Sequence, residues 1–153
     1  MGIFPLFKKK SLFSEEENEL VVNAIRNAEK CTSGEVRVFV ESRCKFLDPL
    51  DRALEIFAEL KMENTQDRNA VLVYVALKDR QLAIYGDKGI HERTGDEYWQ
   101  KSVSEMVSDF NKENYAKGIS HCVTKIGEAL QQHFPYNQDT DKNELPDDII
   151  FGK

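Results

Sequence analysis

Apolar residues recur along the chain at two different spacings. Behind Ser14, with Glu17 at a capping-box distance, Leu20, Val21, Ala24, Ile25 and Ala28 repeat at helical intervals and predict a helix over 15–30. Thr32-Ser33-Gly34 stops it. Val36, Val38 and Val40 then alternate with Glu35, Arg37 and Glu41, which predicts a strand with one better-buried face. Asp48-Pro49 opens a second helix with an apolar stripe to about Leu60, since proline suits a first helical turn. Residues 70–77 are continuously apolar and β-branched, as in a strand covered on both faces. After the polar break Lys78-Asp79-Arg80, Gln81 to Gly86 reads as the second arm of a hairpin. Residues 87–95 read as a polar loop. Helices follow over about 96–110 and 115–133, and Pro135 ends the last one.

The strand–helix–strand unit makes the first two strands parallel with a right-handed crossover, and the hairpin makes the third antiparallel. Helices on both faces of this small mixed sheet predict an α/β fold, a three-layer α/β/α sandwich. Residues 1–13 are read as an N-terminal arm and 14–135 as the domain. Residues 136–153 are read as an acidic, mostly disordered tail closing on a docking tip, Ile149, Ile150 and Phe151.

Composition narrows the function classes. The 153 residues suffice for one domain, which buries roughly 70% of its unfolded surface without staples. The 27 Asp and Glu outnumber 21 Lys and Arg, for a net charge of −6. That sign disfavours nucleic acid and favours cations. No apolar run reaches the ~20 residues that span a bilayer. Cys31, Cys44 and Cys122 form no CxxC, which reads as free thiols. With no signal peptide at the start of this sequence, the expected location is the cytoplasm.

Two short patterns carry little. Cys31 to Arg37 fits C-x5-R, but its loop follows a helix and enters a strand, the reverse of a phosphate cradle. Asp139, Asp141 and Asn143 copy part of an EF-hand loop, but Glu144 replaces the glycine and Ile150 the final glutamate. Topology offers a better constellation. The parallel pair and the hairpin bring residues 33–35, 67–69 and 86–88 to one sheet end, and the loop beyond adds His91, Glu92, Asp96 and Glu97. Glu35, Asp67, Asp87, Glu92 and Asp96 are the candidate metal ligands there, because hard cations take carboxylate and carbonyl oxygens. Arg68 and Lys88 are the candidate anion contacts. The plain alternative is helix caps, turns and Arg68–carboxylate pairs. The opposite end, with Glu41, Ser42, Arg43 and Asp79, is where open parallel sheets place ligands, but it offers fewer oxygen donors.

Three runs in order carry a family resemblance: Thr32 to Val36, Asn69 to Val75 with Asp79-Arg80, and Ile84 to Ile90 followed by Tyr115 and Gly118-Ile119. Over about residues 14–134 the chain resembles the TPM-domain family of bacterial, plant thylakoid and nematode proteins, and looks like its small cytosolic bacterial branch. The resemblance implies an α/β/α sandwich and a divalent-cation site, with Ca²⁺ reported among members and Mg²⁺ the other candidate ion. It also implies divided functions: photosystem repair with acid phosphatase activity in one member, an auxiliary channel subunit in another.

The sequence offers no nucleophile beside an activating base. The leading expectation is therefore a Ca²⁺-binding domain acting through an unidentified protein partner. The alternatives are a metal-dependent phosphatase and a metal-free interaction scaffold.

Overall fold

A computed structural model describes residues 12–45, 48–110, 115–136 and 148–152. The elements are α1 (Glu15–Glu29), β1 (Glu35–Glu41), α2 (Pro49–Glu59), β2 (Ala70–Ala76), β3 (Gln81–Gly86), α3 (Lys88–Thr94), α4 (Asp96–Phe110), α5 (Tyr115–His133) and β4 (Ile150–Phe151). The sheet order is β3-β2-β1-β4. β1 runs parallel to β2, from Glu35 opposite Ala70 to Glu41 opposite Ala76. β2 and β3 are antiparallel, from Val71 opposite Gly86 to Ala76 opposite Gln81.

The strand period of two sorts the core into layers. Val36, Val38, Val40, Val71, Val73 and Val75 join the larger cluster with residues of α1, α4 and α5. Phe39, Leu72, Tyr74 and Ala76 join a second cluster with Ala53, Ile56 and Phe57 of α2. The chain is thus an α/β/α sandwich, as its patterning predicts. The capping box at α1 is complete: Glu17 N–H donates to Ser14 Oγ at 3.1 Å, and Ser14 N–H to Glu17 Oε1 at 2.9 Å. α1 and α5 touch closely, since a Cβ on Gly127 would lie 2.6 Å from Ala28 Cβ.

The structure departs from the sequence reading in three places. Residues 88–94, read as a loop, form helix α3, capped by the Asp87 side chain and ended at Gly95 with φ 81°. Its only buried residue is Ile90, too little apolar spacing to announce a helix. The alternating face of β1 is not solvated: Glu35, Arg37 and Glu41 are buried along with the valines. The apolar tip, read as a docking segment, forms β4 on the edge of β1, with Phe39 opposite Ile150 and Val40 opposite Phe151. Most of the supposed arm and disordered tail, residues 1–11 and 137–147, lies outside the described residues. Among the described residues, no helix is long and apolar enough to cross a membrane.

Candidate functional site

The topology does gather the predicted sheet end. Glu35, Ala70 and Asp87 lie in one row across three strands, joined by Glu35 N–H to the Asn69 carbonyl at 3.4 Å and Asp87 N–H to the Ala70 carbonyl at 2.9 Å. Asn69 also donates through Nδ2 to Ser33 Oγ at 3.2 Å. Arg68 has φ 52°, which turns the chain sharply into β2. The first turn of α3 lies directly on that turn: Gly89 N–H donates to the Arg68 carbonyl at 2.8 Å. A Cβ at Gly89 would stand 2.1 Å from the Asp67 carbonyl oxygen, so only glycine fits.

This close approach brings Arg68 onto Asp87. The guanidinium donates Nε–H to Oδ2 at 2.6 Å and Nη2–H to Oδ1 at 2.9 Å. Asp87, 1% exposed, also accepts the Lys88 N–H at 2.8 Å as the cap of α3. Arg68 is held above its ordinary pKa by the Asp87 hydrogen bonds. Tyr85 is also raised, first by burial and then by the Asp87 charge.

The other predicted residues stand apart from this pair. Glu35 is buried, but its backbone is two strand spacings from Asp87, roughly 10 Å. Asp67 and Glu92 are exposed; Lys88 is exposed and reaches Asp87 only through its backbone. Asp96 is exposed and lies 3.1 Å from His91 Nε2, while His91 Nδ1 accepts the Trp99 indole N–H at 3.0 Å. Among the described residues, no three Asp, Glu, His or Cys side chains form a group able to hold a metal ion. The donor chemistry is that of a hard-cation site, but the arrangement is the plain alternative, a helix cap closed by an arginine. A cation would have to take the place of Arg68.

A second buried carboxylate lies at the opposite sheet end. Glu41 accepts Arg52 Nε–H at 3.0 Å, Arg52 Nη2–H at 3.1 Å and the Tyr74 hydroxyl at 2.5 Å. Arg52 also donates to Glu55 and lies over the Phe39 ring at 5.7 Å. Arg52 is held well above its ordinary pKa by the Glu41 hydrogen bonds, and Tyr74 is raised by burial and then by Glu41. Sequence reasoning placed Glu41 here but missed Arg52 and Tyr74. The available signal was a tyrosine inside an apolar strand, because a buried hydroxyl needs a partner.

The cysteine pattern does not assemble. Cys31 is exposed, while Arg37 is buried within β1. The three cysteines are free, and burial pushes the Cys122 thiol up to about 12.

Solved structures share this fold. The chain is 41% identical to the BA42 protein of the psychrophilic bacterium Bizionia argentinensis, whose NMR structure superposes with a TM-score of 0.86 over 95% of this chain and 99% of that one. The N-terminal domain of a P. gingivalis protein shares the fold at 20% identity and a TM-score of 0.66, covering 84% of each chain. The N-terminal domain of the cg2496 protein from Corynebacterium glutamicum does so at 14% and 0.62, over 78% of this chain and 74% of that one. No curated protein matches. A profile of the TPM domain matches residues 6–129. With most of its length inside that match, the chain belongs to the TPM-domain family.

Proposed function

We propose that this chain is a Ca²⁺-binding domain that acts through a protein partner, and that its ion site is the α3 end of the sheet. The observation that supports it is Asp87. A carboxylate buried this deeply needs a cation, and the one it has is a guanidinium more than a third exposed. The same requirement is met by a hard ion that exchanges with Arg68. Asp87 would hold that ion, with Asp67, Glu92 and Asp96 from the adjoining loop and helices, and with Glu35 from the far side of Ala70. When bound, the ion supplies the charge that neutralises Asp87. Ca²⁺ suits flexible, exposed carboxylates better than Mg²⁺, which demands near-ideal octahedral geometry and keeps several waters. Leu50 and Leu54, one turn apart on α2 and both exposed, give a partner an apolar strip.

The alternative of a metal-dependent phosphatase uses the same ion, with Arg68, once freed, and Lys88 meeting phosphate. Phosphate release that requires metal and disappears in Asp87→Asn would favour it.

An NMR amide titration with Ca²⁺, repeated with Mg²⁺, tests the site. Saturable shifts confined to 33–35, 67–69 and 86–97, and absent in Asp87→Asn, are expected. Shifts that persist in Asp87→Asn, or none up to millimolar ion, would sink the proposal.

A further inference from the structure

We propose that the cleft at the carboxyl end of β1 binds a small organic anion, a carboxylate or phosphate carried on an apolar or aromatic body. The cleft measures about 610 Å³ and lies between the end of β1, α2 and the residue after β4. That size falls among small-molecule pockets, and the carboxyl end of parallel strands is where open α/β sheets gather ligands.

The hydrogen-bonding groups left over in the cleft select the ligand. Its two carboxylates, Glu41 and Glu55, are both engaged by Arg52. Glu41 is filled by Arg52 and the Tyr74 hydroxyl, and Glu55 gives Arg52 one of its oxygens. The cations are less fully used. Arg52 has five N–H donors, and two of them remain after the three bonds to Glu41 and Glu55. Its guanidinium is fixed in place by those bonds and by the Phe39 ring beneath it, so it meets an anion pre-oriented.

Arg43 and Lys45 line the same cleft. Their loop is tied down by Asp79, which accepts Arg43 Nη1–H at 3.1 Å and Cys44 N–H at 2.7 Å. With Asp79 beside Glu41 and Glu55 the three cations are balanced, so the hollow is near neutral in a chain of net charge −6, and its unspent N–H donors are what an anion meets.

The wall beside Phe39 is built from backbone. Gly152 N–H donates to the Val40 carbonyl at 2.8 Å. A Cβ on Gly152 would lie 2.9 Å from both Glu41 Cβ and the Phe39 ring. Glycine therefore lets the chain after β4 close tightly on Glu41 and the Phe39 ring, which makes this side of the cleft a backbone wall beside the guanidinium.

The test is an NMR titration of the full chain with benzoate and, separately, phenyl phosphate, against a sodium chloride control of equal ionic strength. Saturable shifts at residues 41–45 and 152 are expected from at least one probe. The probe that binds more tightly identifies the head group. Lys45→Glu, an exposed position outside the Glu41 network, should weaken binding about tenfold or more, equivalent to about 1.4 kcal/mol. Lys117→Glu, the same charge reversal at an exposed position of α5, should leave it unchanged. Four outcomes would overturn the proposal: no saturable shift from either probe at millimolar concentration, shifts reproduced by chloride, equal midpoints in Lys45→Glu, or an equal loss in Lys117→Glu.

Discussion

Each end of the sheet holds a buried carboxylate gripped by two nitrogens of one arginine, yet the two pairs are built differently. At the β1 carboxyl end, the Arg52 side chain is 20% exposed and braced by Glu55 and Phe39, and Tyr74 adds a third donor to Glu41. At the α3 end, Arg68 is 38% exposed and, among the described residues, bonds only Asp87 with its side chain. A guanidinium locked from several sides is part of the framework. One held by a single carboxylate at the surface holds a place that another cation can take. The difference in bracing, more than the shared ion-pair chemistry, separates a structural pair from an exchangeable one.

The largest effect expected from this contrast is on stability. Arg52→Gln leaves Glu41 charged, buried and unpaired, and should cost about 3–5 kcal/mol in urea unfolding. Arg68→Gln should cost clearly less, because water reaches the vacated place beside Asp87. Equal losses would erase the distinction between the two ends.

A smaller effect sits away from both ends, between α4 and α5. Burial lifts Cys122 from its ordinary value of 9.0 to about 12. From about pH 9 to about pH 12 the unfolded chain gives up that proton first, so stability falls as pH rises through this window and is intact below it. Tyr98, raised by burial from 10.0 to about 12, adds a fall that begins about one unit later. Cys122→Ala should remove the part that starts near pH 9 and leave the part that starts near pH 10. Thermal unfolding followed across this range checks it, and an unchanged onset would contradict the assignment.

The patterning showed most of the fold because long elements repeat their signal. The α1 stripe, the valine alternation of β1 and the run from Ala70 carry enough residues for periodicity to emerge. α3 and β4 were not legible, since each is held by contacts distant in sequence: Gly89 against Asp67 and the Arg68 carbonyl, and Ile150 opposite Phe39. Topology correctly brought Glu35, Arg68 and Asp87 to one edge. It could not say that Arg68 would close on Asp87, because that depends on the positive φ of Arg68 and on how tightly Gly89 packs. Glu41 looked like a solvated strand position until the burial of Tyr74 and the reach of Arg52 from α2 became visible.

The most direct measurement is Ca²⁺ affinity in Arg68→Gln, read by amide shifts beside the wild-type chain and Asp87→Asn. If Arg68 holds the place of the ion, removing it should tighten Ca²⁺ binding about tenfold, while Asp87→Asn abolishes it. Arg68→Gln with affinity unchanged or weakened, in a chain that remains folded, would contradict the exchange and leave Asp87 as the cap of a helix.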